Sequence, residues 1–158
     1  MGVQFSPGPQ ILFMTFTHLL IGLILGKKFG YTPGFVIGSL FPDIDHLFVL
    51  LKNRHFHPKE IFGMMKDEDK YGERYKTPYT HSLLAWALFS SIVAFLFSYG
   101  AGIAFLVAYL IHLLLDLLDK DEIQIFYPAK FGVRGFLPVF SFWEIVFGIF
   151  LIFIYVQI

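Results

Sequence analysis

Long apolar runs alternate with polar stretches along the chain, and the runs predict helices that cross a membrane. Four of the runs are uninterrupted and approach the roughly 20 apolar residues that one crossing needs. They cover about Gln10–Gly26, Ser82–Tyr99, Ile103–Leu118 and Val139–Ile158. The segment from Gly100 to Gly102 predicts a tight turn between the second and the third of these runs.

A fifth apolar stretch, from Pro33 to Leu51, is interrupted by Pro42. Proline lacks a backbone donor and disfavours helix at the residue before it, so this stretch is predicted to form two short helices. Broken helices occur at membrane depth where they line a cavity rather than face lipid. The whole pattern predicts an all-α fold, an integral membrane helical bundle with four to five membrane segments, the second of them broken at Pro42.

Two polar segments separate the apolar runs and are predicted to lie outside the membrane. Residues 52–80 hold half of the charged residues and are expected to be partly helical and partly mobile, whereas residues 119–138 form a shorter loop. Only 15% of the residues are charged, against roughly 25% in soluble domains, while 56% are hydrophobic. This composition is too apolar for a soluble surface, so residues 1–158 are predicted to form a single membrane-embedded domain.

The basic residues predict an orientation in the cell membrane. In a five-span arrangement, the 52–80 and 119–138 segments hold ten Lys and Arg, and the opposite side holds only Lys27 and Lys28. The positive-inside rule then places the N-terminus and both polar segments in the cytoplasm. Basic and acidic residues both number 12, so the charge balance gives no sign of nucleic-acid binding. We expect the membrane as partner and no nucleic acid.

The apolar segments carry an unusual number of His and Asp residues. An ionisable group in a membrane segment costs roughly 2.5–3.5 kcal/mol, which makes each one a functional candidate. A local hydrogen bond is an adequate explanation for one isolated His, but hardly for seven such groups. Their depths predict that they converge in a cavity that opens towards the polar segments. The seven residues are His18, Asp43, Asp45, His46, His81, His112 and Asp116.

The spacing of these residues predicts a metal site. His112 and Asp116 stand at i and i+4, on one helical face, and Asp43 to His46 places two carboxylates and an imidazole at the helix break. Mixed His and carboxylate ligation suits zinc, manganese or iron better than magnesium or calcium. Cysteine is absent, which excludes thiolate ligands.

Seven candidate ligands suffice for two divalent ions if one carboxylate bridges them. We expect zinc, with manganese as the alternative. The sequence leaves open which of Asp43, Asp45 and His46 bind the metal and which act through a neighbour. His55 and His57 lie in the polar segment and are predicted to be solvated.

Taken in order, these motifs resemble those of the YdjM-type family of membrane-bound metal-dependent hydrolases. The matching elements are Thr17-His18, Gly38-Ser39-Leu40-Phe41-Pro42-Asp43-Ile44-Asp45-His46, Thr80-His81-Ser82, His112 through Asp116, and Tyr127-Pro128. The ligand order is also distantly similar to that of the zinc-dependent phospholipase C and P1 nuclease group. That likeness implies one ion held by Asp43 or Asp45 with His81, His112 and Asp116, and a second ion bound by His18 and the shared Asp116.

The features together predict a metal-dependent hydrolase that cleaves a phosphoester in a lipid or polyprenyl phosphate. Metal-activated water would attack phosphorus, and Asp43 or Asp45 would take the proton. Cationic side chains from the polar segments are candidates for binding the substrate phosphate. They are Arg54, Arg74, Lys76, Lys130 and Arg134.

Two other classes of function remain open from the sequence. Intramembrane His and Asp also serve metal-ion or proton-coupled transporters. The candidate groups gather in one half of the bilayer, however, and the sequence carries no internal repeat of the kind that many transporters show. A metal-stabilised adaptor without catalysis would hold a fully coordinated ion with no position left for water.

Overall fold

The computed structural model describes residues 11–53, 76–137 and 142–158, which form a bundle of helices. The helices are α1 (Ile11–Phe29), α2 (Thr32–Leu40), α3 (Ile44–Asn53), α4 (Leu83–Leu96), α5 (Tyr99–Asp116) and α6 (Phe142–Gln157). Two short strands, β1 (Glu122–Ile123) and β2 (Val133–Arg134), pair antiparallel in the loop that follows α5. The all-α class is confirmed, and the short ribbon is an addition that the sequence pattern did not predict.

Helix α5 lies at the centre of the bundle. It packs against α2 on one side and α4 on the other, and α1 packs against α2 and α6. The main apolar core contains Phe105, Tyr109 and Leu113 of α5, together with Ile123 and Ile125 from the following loop. The loop is therefore folded back onto the last turns of α5, where the predicted metal ligands lie.

A small residue lets α2 and α5 approach closely. A Cβ atom added at Gly38 would lie 2.5 Å from the carbonyl oxygen of Phe105 and 2.8 Å from its Cα, both backbone atoms of α5. Contacts this short exclude any side chain larger than hydrogen. The close approach brings the end of α2 beside the second half of α5.

The predicted helix break at Pro42 is present. Helix α2 ends at Leu40 and α3 begins at Ile44. Between them the backbone forms two turn hydrogen bonds, from Asp43 N to Leu40 O and from Ile44 N to Phe41 O, both 3.2 Å long. The break redirects the chain, so that Asp43 lies in the turn and Asp45 and His46 lie in the first turn of α3.

The predicted turn from Gly100 to Gly102 is wrong, because these residues belong to the first turn of α5. The connection between α4 and α5 lies earlier, and the Ser98 side chain caps α5 by accepting a hydrogen bond from Ala101 N at 3.1 Å. A Cβ atom added at Gly102 would lie 2.6 Å from the Cα of Ala94. This glycine therefore serves close packing of α5 against α4 rather than a turn.

Helix α1 continues past its predicted end at Gly26 and includes both lysines. The Lys27 ammonium group donates a hydrogen bond to the carbonyl oxygen of Tyr155 at 3.2 Å, which ties the end of α1 to the end of α6. The other large predicted segment, residues 52–80, lies mostly outside the described residues. Arg54, His55, His57 and Arg74 belong to that part of the chain.

Helix α5 is the one described helix that is long and apolar enough to cross a membrane, and α4 and α6 are apolar but shorter. The outer faces of α4 and α6 expose large apolar side chains, among them Phe95, Phe150 and Phe153. Extended exposed apolar surface of this kind is typical of a face that contacts lipid or a partner. The four to five crossings that the sequence pattern indicates stay a prediction.

Candidate metal centre

The structure brings all seven predicted ligand residues into one cluster at the end of α5 that leads into the 119–137 loop. They come from α1 (His18), the break after α2 (Asp43), the first turn of α3 (Asp45, His46), the turn before α4 (His81) and the last turns of α5 (His112, Asp116). Five of them are buried, and the side chains of Asp43 and His46 are only 14% and 17% exposed. The predicted convergence is therefore present.

His18, His112 and Asp116 form the first of two groups suited to hold an ion. The Asp116 carboxylate lies beside the Nε2 edges of both rings, with Oδ1 3.7 Å from Nε2 of His18 and Oδ2 3.2 Å from Nε2 of His112. The two imidazoles are stacked, with ring centroids 3.8 Å apart. The i, i+4 spacing of His112 and Asp116 places both on the face of α5 that meets α1, as the helical period requires.

Asp43, His46 and His81 form the second group, and it adjoins the first. Oδ1 of Asp43 lies 3.4 Å from Nε2 of His46 and 3.5 Å from Nε2 of His112, which belongs to the first group. In the same way, Oδ2 of Asp116 lies 3.1 Å from Nε2 of His81 in the second group. Each group thus has a carboxylate that also reaches an imidazole of the other, the arrangement that a bridged pair of ions needs.

This grouping differs from the one that the likeness to the phospholipase C and P1 nuclease group implies. That likeness assigned His81 and His112 to the same ion. In the structure His81 groups with Asp43 and His46, and His112 groups with His18 and Asp116. The likeness itself stays a prediction.

Asp45 lies behind the ligand groups and contacts the far sides of two imidazoles. Its Oδ1 is 3.1 Å from Nδ1 of His46, and its Oδ2 is 2.9 Å from Nδ1 of His81. Oδ2 also accepts hydrogen bonds from the backbone N–H of Thr77 at 2.6 Å and the hydroxyl of Thr80 at 2.8 Å. A carboxylate held in this way orients both rings and turns their Nε2 atoms towards the cluster.

His112 is oriented by the backbone instead. Its Nδ1 lies 2.7 Å from the carbonyl oxygen of Ser39, a distance that makes Nδ1 the donor and leaves Nε2 towards Asp116 and Asp43. The hydroxyl of Tyr109 donates to the carbonyl oxygen of Thr80, next to His81. Neither Ser39 nor Tyr109 was predicted to act in the site. The spacing could have indicated Tyr109, since it precedes His112 by three residues and so shares its helical face.

The residues fit a bound cation because their inward-facing atoms contact only one another. Seven buried side-chain polar atoms in the described ranges form no hydrogen bond, and six of them belong to this cluster. They include Nε2 of His81 and His112 and Oδ2 of Asp43 and Asp116. An unsatisfied buried polar atom costs about 1–3 kcal/mol, so such a concentration is unfavourable unless a ligand satisfies it. Neutral imidazoles and carboxylates are the donor set that zinc and manganese take.

Lys76 is the cation that the fold brings to the cluster. Its ammonium group is buried and lies 3.2 Å from Oδ1 of Asp116 and 2.7 Å from Oδ2 of Asp119. Burial alone would lower the pKa of Lys76, but the two carboxylates outweigh it and hold the pKa above its usual value. Burial raises the pKa of Asp119 to about 6 although Lys76 lies beside it, and Asp116 adds to the rise.

The other predicted phosphate-binding residues are placed differently. Lys130 is exposed, and exposed Arg134 forms an ion pair with Glu122 across the ribbon at 3.2 Å. Arg54 and Arg74 lie outside the described residues. Of the five cationic candidates, Lys76 is thus the one that the described structure places in contact with a predicted ligand.

A cavity of about 370 Å³ opens directly beside the first ligand group. His18, Asp116 and Asp119 form its polar end beside the ligand group, and Thr17 and Glu144 also line it. The rest of its wall is apolar and comes from the last turns of α5, the following loop and α6. The apolar residues are Leu115, Leu118, Leu137, Trp143 and Phe147.

Comparison with known protein families gives a match over most of the chain. The sequence model of a family described as YdjM inner membrane protein matches residues 13–158, a range that includes every residue of both ligand groups. No curated protein and no solved structure matches the chain.

Proposed function

The chain belongs to the YdjM family of inner membrane proteins, and from this premise we propose that the His and Asp cluster is the active site of a metal-dependent hydrolase embedded in the membrane. The observation that carries the proposal is the pair of adjoining ligand groups, with their inward-facing atoms unsatisfied and a carboxylate of each reaching the other. The site is concave and buried, and an apolar cavity adjoins it. This combination suits a reaction on an amphipathic substrate.

The proposed cofactor is a pair of divalent ions, zinc with manganese as the alternative. His18, His112 and Asp116 hold one ion, and Asp43, His46 and His81 hold the other. A bound ion of this kind supplies Lewis acidity, which polarises a phosphoryl oxygen and lowers the pKa of a water molecule. The four carboxylates Asp43, Asp45, Asp116 and Asp119 meet one ammonium group in this region, and the excess of negative charge favours cation binding.

The remaining side chains have supporting roles in this proposal. Asp45 holds the rings of His46 and His81, and Thr77 and Thr80 hold Asp45. Of the two carboxylates that the sequence offered as proton acceptor, Asp43 is the better placed, because it contacts the Nε2 atoms of His46 and His112, whereas Asp45 contacts the Nδ1 atoms on the far side of the rings. We assign the proton from the attacking water to Asp43.

The proposed reaction is cleavage of a phosphoester in a lipid or polyprenyl phosphate. The polar end of the cavity includes ligand residues, and its other walls are apolar, which matches a substrate with a charged head and a hydrocarbon body. Lys76 holds Asp116 Oδ1 so that Oδ2 faces the imidazoles of His81 and His112. Lys130 and Arg134, and the undescribed Arg54 and Arg74, stay candidates for contact with the head.

We further propose that four to five segments lie in the membrane, with the site near the cytoplasmic face. Helix α5 has 18 residues, which at about 1.5 Å per residue nearly spans a hydrocarbon core of about 30 Å. The cluster lies at the end of α5 next to Lys76 and Asp119, which come from the two polar segments. The excess of basic residues in these segments supports a cytoplasmic location.

The test is metal content, followed by hydrolysis. Protein purified in detergent is analysed for zinc and manganese as wild type and as the His112→Ala and Asp116→Ala variants. About two ions per chain are expected in the wild type, and both variants should lose most of the metal and all cleavage of bis(p-nitrophenyl) phosphate. His57→Ala is the matched control, since His57 is predicted to be solvated and its variant should keep wild-type metal content.

Three results would contradict the proposal. If the wild type neither contains nor binds zinc or manganese, the proposal of a metal-dependent hydrolase is wrong. Metal that binds and is carried across proteoliposome membranes, with no cleavage of any phosphoester, would favour the transporter class instead. Metal that binds with neither transport nor cleavage would favour the adaptor.

A further inference from the structure

We infer that the cavity beside the first ligand group binds a hydrocarbon chain of the substrate, so that the phosphoester lies at the His18 and Asp116 end and the chain extends along α6. The inference rests on the proposed function and identifies the substrate as an anionic lipid held by its chain as well as by its head.

The cavity is continuous with the candidate metal centre. His18 and Asp116 belong to the first ligand group and also line the cavity. The apolar part of the wall comes from Leu115 in the last turn of α5, from Leu118 in the loop just after it, and from Trp143 and Phe147 on α6. A molecule whose head contacts the centre therefore has its next atoms against apolar side chains.

The charge of the polar end restricts which heads can bind. Asp116 and Asp119 lie at this end, where both contact the Lys76 ammonium group, and Glu144 also lines the cavity. A phosphate placed against these carboxylates alone would be repelled at short range. Binding of an anionic head therefore requires divalent ions at the ligand groups, which makes chain binding dependent on metal.

The cavity opens at the outer surface of the bundle. Trp143 is 66% exposed and Phe147 is 36% exposed, although both form part of the cavity wall. The adjacent surface of α6 is apolar and exposed, as on Phe150. In an inner membrane protein, a chain can therefore enter from the lipid beside α6 without crossing water.

The fluorescence of Trp143 reports directly on ligand binding in the cavity, because the protein contains only two tryptophans. Trp86→Phe removes the other one, whose ring N–H donates to Leu106 O in the interior. The protein is placed in phosphatidylcholine nanodiscs and titrated with dodecylphosphonate brominated on its chain, a ligand that cannot be hydrolysed. We expect saturable quenching of Trp143 in zinc-loaded protein, and loss of the saturable component after chelation.

A comparison of ligands with different hydrocarbon chain lengths cannot show binding in the cavity. Lipid tails are as apolar as the cavity wall, so the membrane concentrates any long-chain ligand near the protein. The decisive comparison is therefore Leu118→Phe, which fills the cavity, against Leu88→Phe, the same exchange at an exposed position on α4. Leu118→Phe should weaken binding of the brominated ligand severalfold and leave the inhibition constant of methylphosphonate, which has no long chain, at the wild-type value. Leu88→Phe should change neither value.

The outcomes separate this inference from the proposed function. Equal behaviour of the two Leu variants, or quenching that neither saturates nor responds to chelation, overturns chain binding even if the wild type cleaves bis(p-nitrophenyl) phosphate. Metal-dependent quenching that Leu118→Phe weakens supports chain binding, even in a protein that cleaves nothing. If Leu118→Phe loses its metal, Leu137→Phe fills the same cavity from the loop and replaces it.

Discussion

Both halves of helix α5 contribute buried residues, but they are held in place by different forces. The first half contacts α4 through Gly102 and α2 through Ala104, and its stability comes from close packing of backbone and small side chains. The second half carries His112 and Asp116, which are 1% and 2% exposed and present atoms that form no hydrogen bond. The first half is complete within the protein, whereas the second presents polar atoms that we propose bind metal.

The difference indicates which half is maintained for folding and which for function. Replacement of buried unsatisfied polar groups by apolar residues of the same shape is often neutral or stabilising. The polar half is therefore not explained by stability. We expect substitutions in the second half to change metal affinity. Substitutions in the first half should instead change the free energy of unfolding of the metal-free protein.

The largest effect is expected for Asp116→Ala, since Asp116 contacts an imidazole of each ligand group. Its loss should lower metal affinity by more than the about 10–100-fold that removal of an outer hydrogen-bond partner costs. Elemental analysis and isothermal titration with zinc measure this. If this variant kept the wild-type metal content, Asp116 would not be a ligand. The proposed difference between the two halves of α5 would then be wrong.

Removal of metal from the wild type should affect the two halves unequally. A ligand present at 100 times its dissociation constant stabilises the folded state by about 2.7 kcal/mol, and chelation should remove that amount. Thermal unfolding with and without chelator measures the total. Hydrogen exchange read by mass spectrometry should then show faster exchange in peptides that contain His112 and little change in peptides that contain Gly102. Uniform change along α5 would contradict the contrast.

Asp45→Asn should have an intermediate effect, because Asp45 orients two rings without facing the cluster. An amide has one oxygen, so it cannot accept from Nδ1 of both His46 and His81. Zinc affinity should fall about 10–100-fold, with the number of bound ions restored at high zinc concentration. Glu122→Gln makes the same exchange in the ribbon and should leave affinity unchanged. If Asp45→Asn permanently lost an ion, Asp45 would be a ligand.

Local patterns in the sequence predicted the parts of the site that depend on local geometry. The i, i+4 spacing of His112 and Asp116 and the break at Pro42 follow from backbone rules that act over a few residues. The role of Asp45 does not, since it depends on where His46 and His81, 35 positions apart along the chain, come together. Lys76 was one of five cationic candidates, and only the tertiary path of the chain shows that it meets Asp116 and Asp119.

The misplaced turn at Gly100–Gly102 shows a similar limit. Glycine is common in turns because it permits unusual backbone conformations, and also in helix interfaces because it lacks a side chain. The two uses cannot be told apart without knowing what lies opposite. In the structure that neighbour is Ala94 of α4, so the glycine belongs to the packed half of α5.

The smallest effect is expected for Gly102→Ala, which alters only the packed half. The added methyl group would meet the Ala94 backbone, with 2.6 Å to its Cα and 2.9 Å to its N, and overpacking of this kind costs about 1–3 kcal/mol. Alanine recovers about 0.5–1 kcal/mol in a helix interior, so the net loss should be about 1 kcal/mol. Denaturant unfolding of metal-free protein measures it, and Ile103→Ala on the exposed neighbouring face is the control.

Zinc affinity should stay at the wild-type value, because His112 lies nearly three turns further along α5. A large loss of zinc affinity in Gly102→Ala would mean that the two halves of the helix are coupled rather than separate.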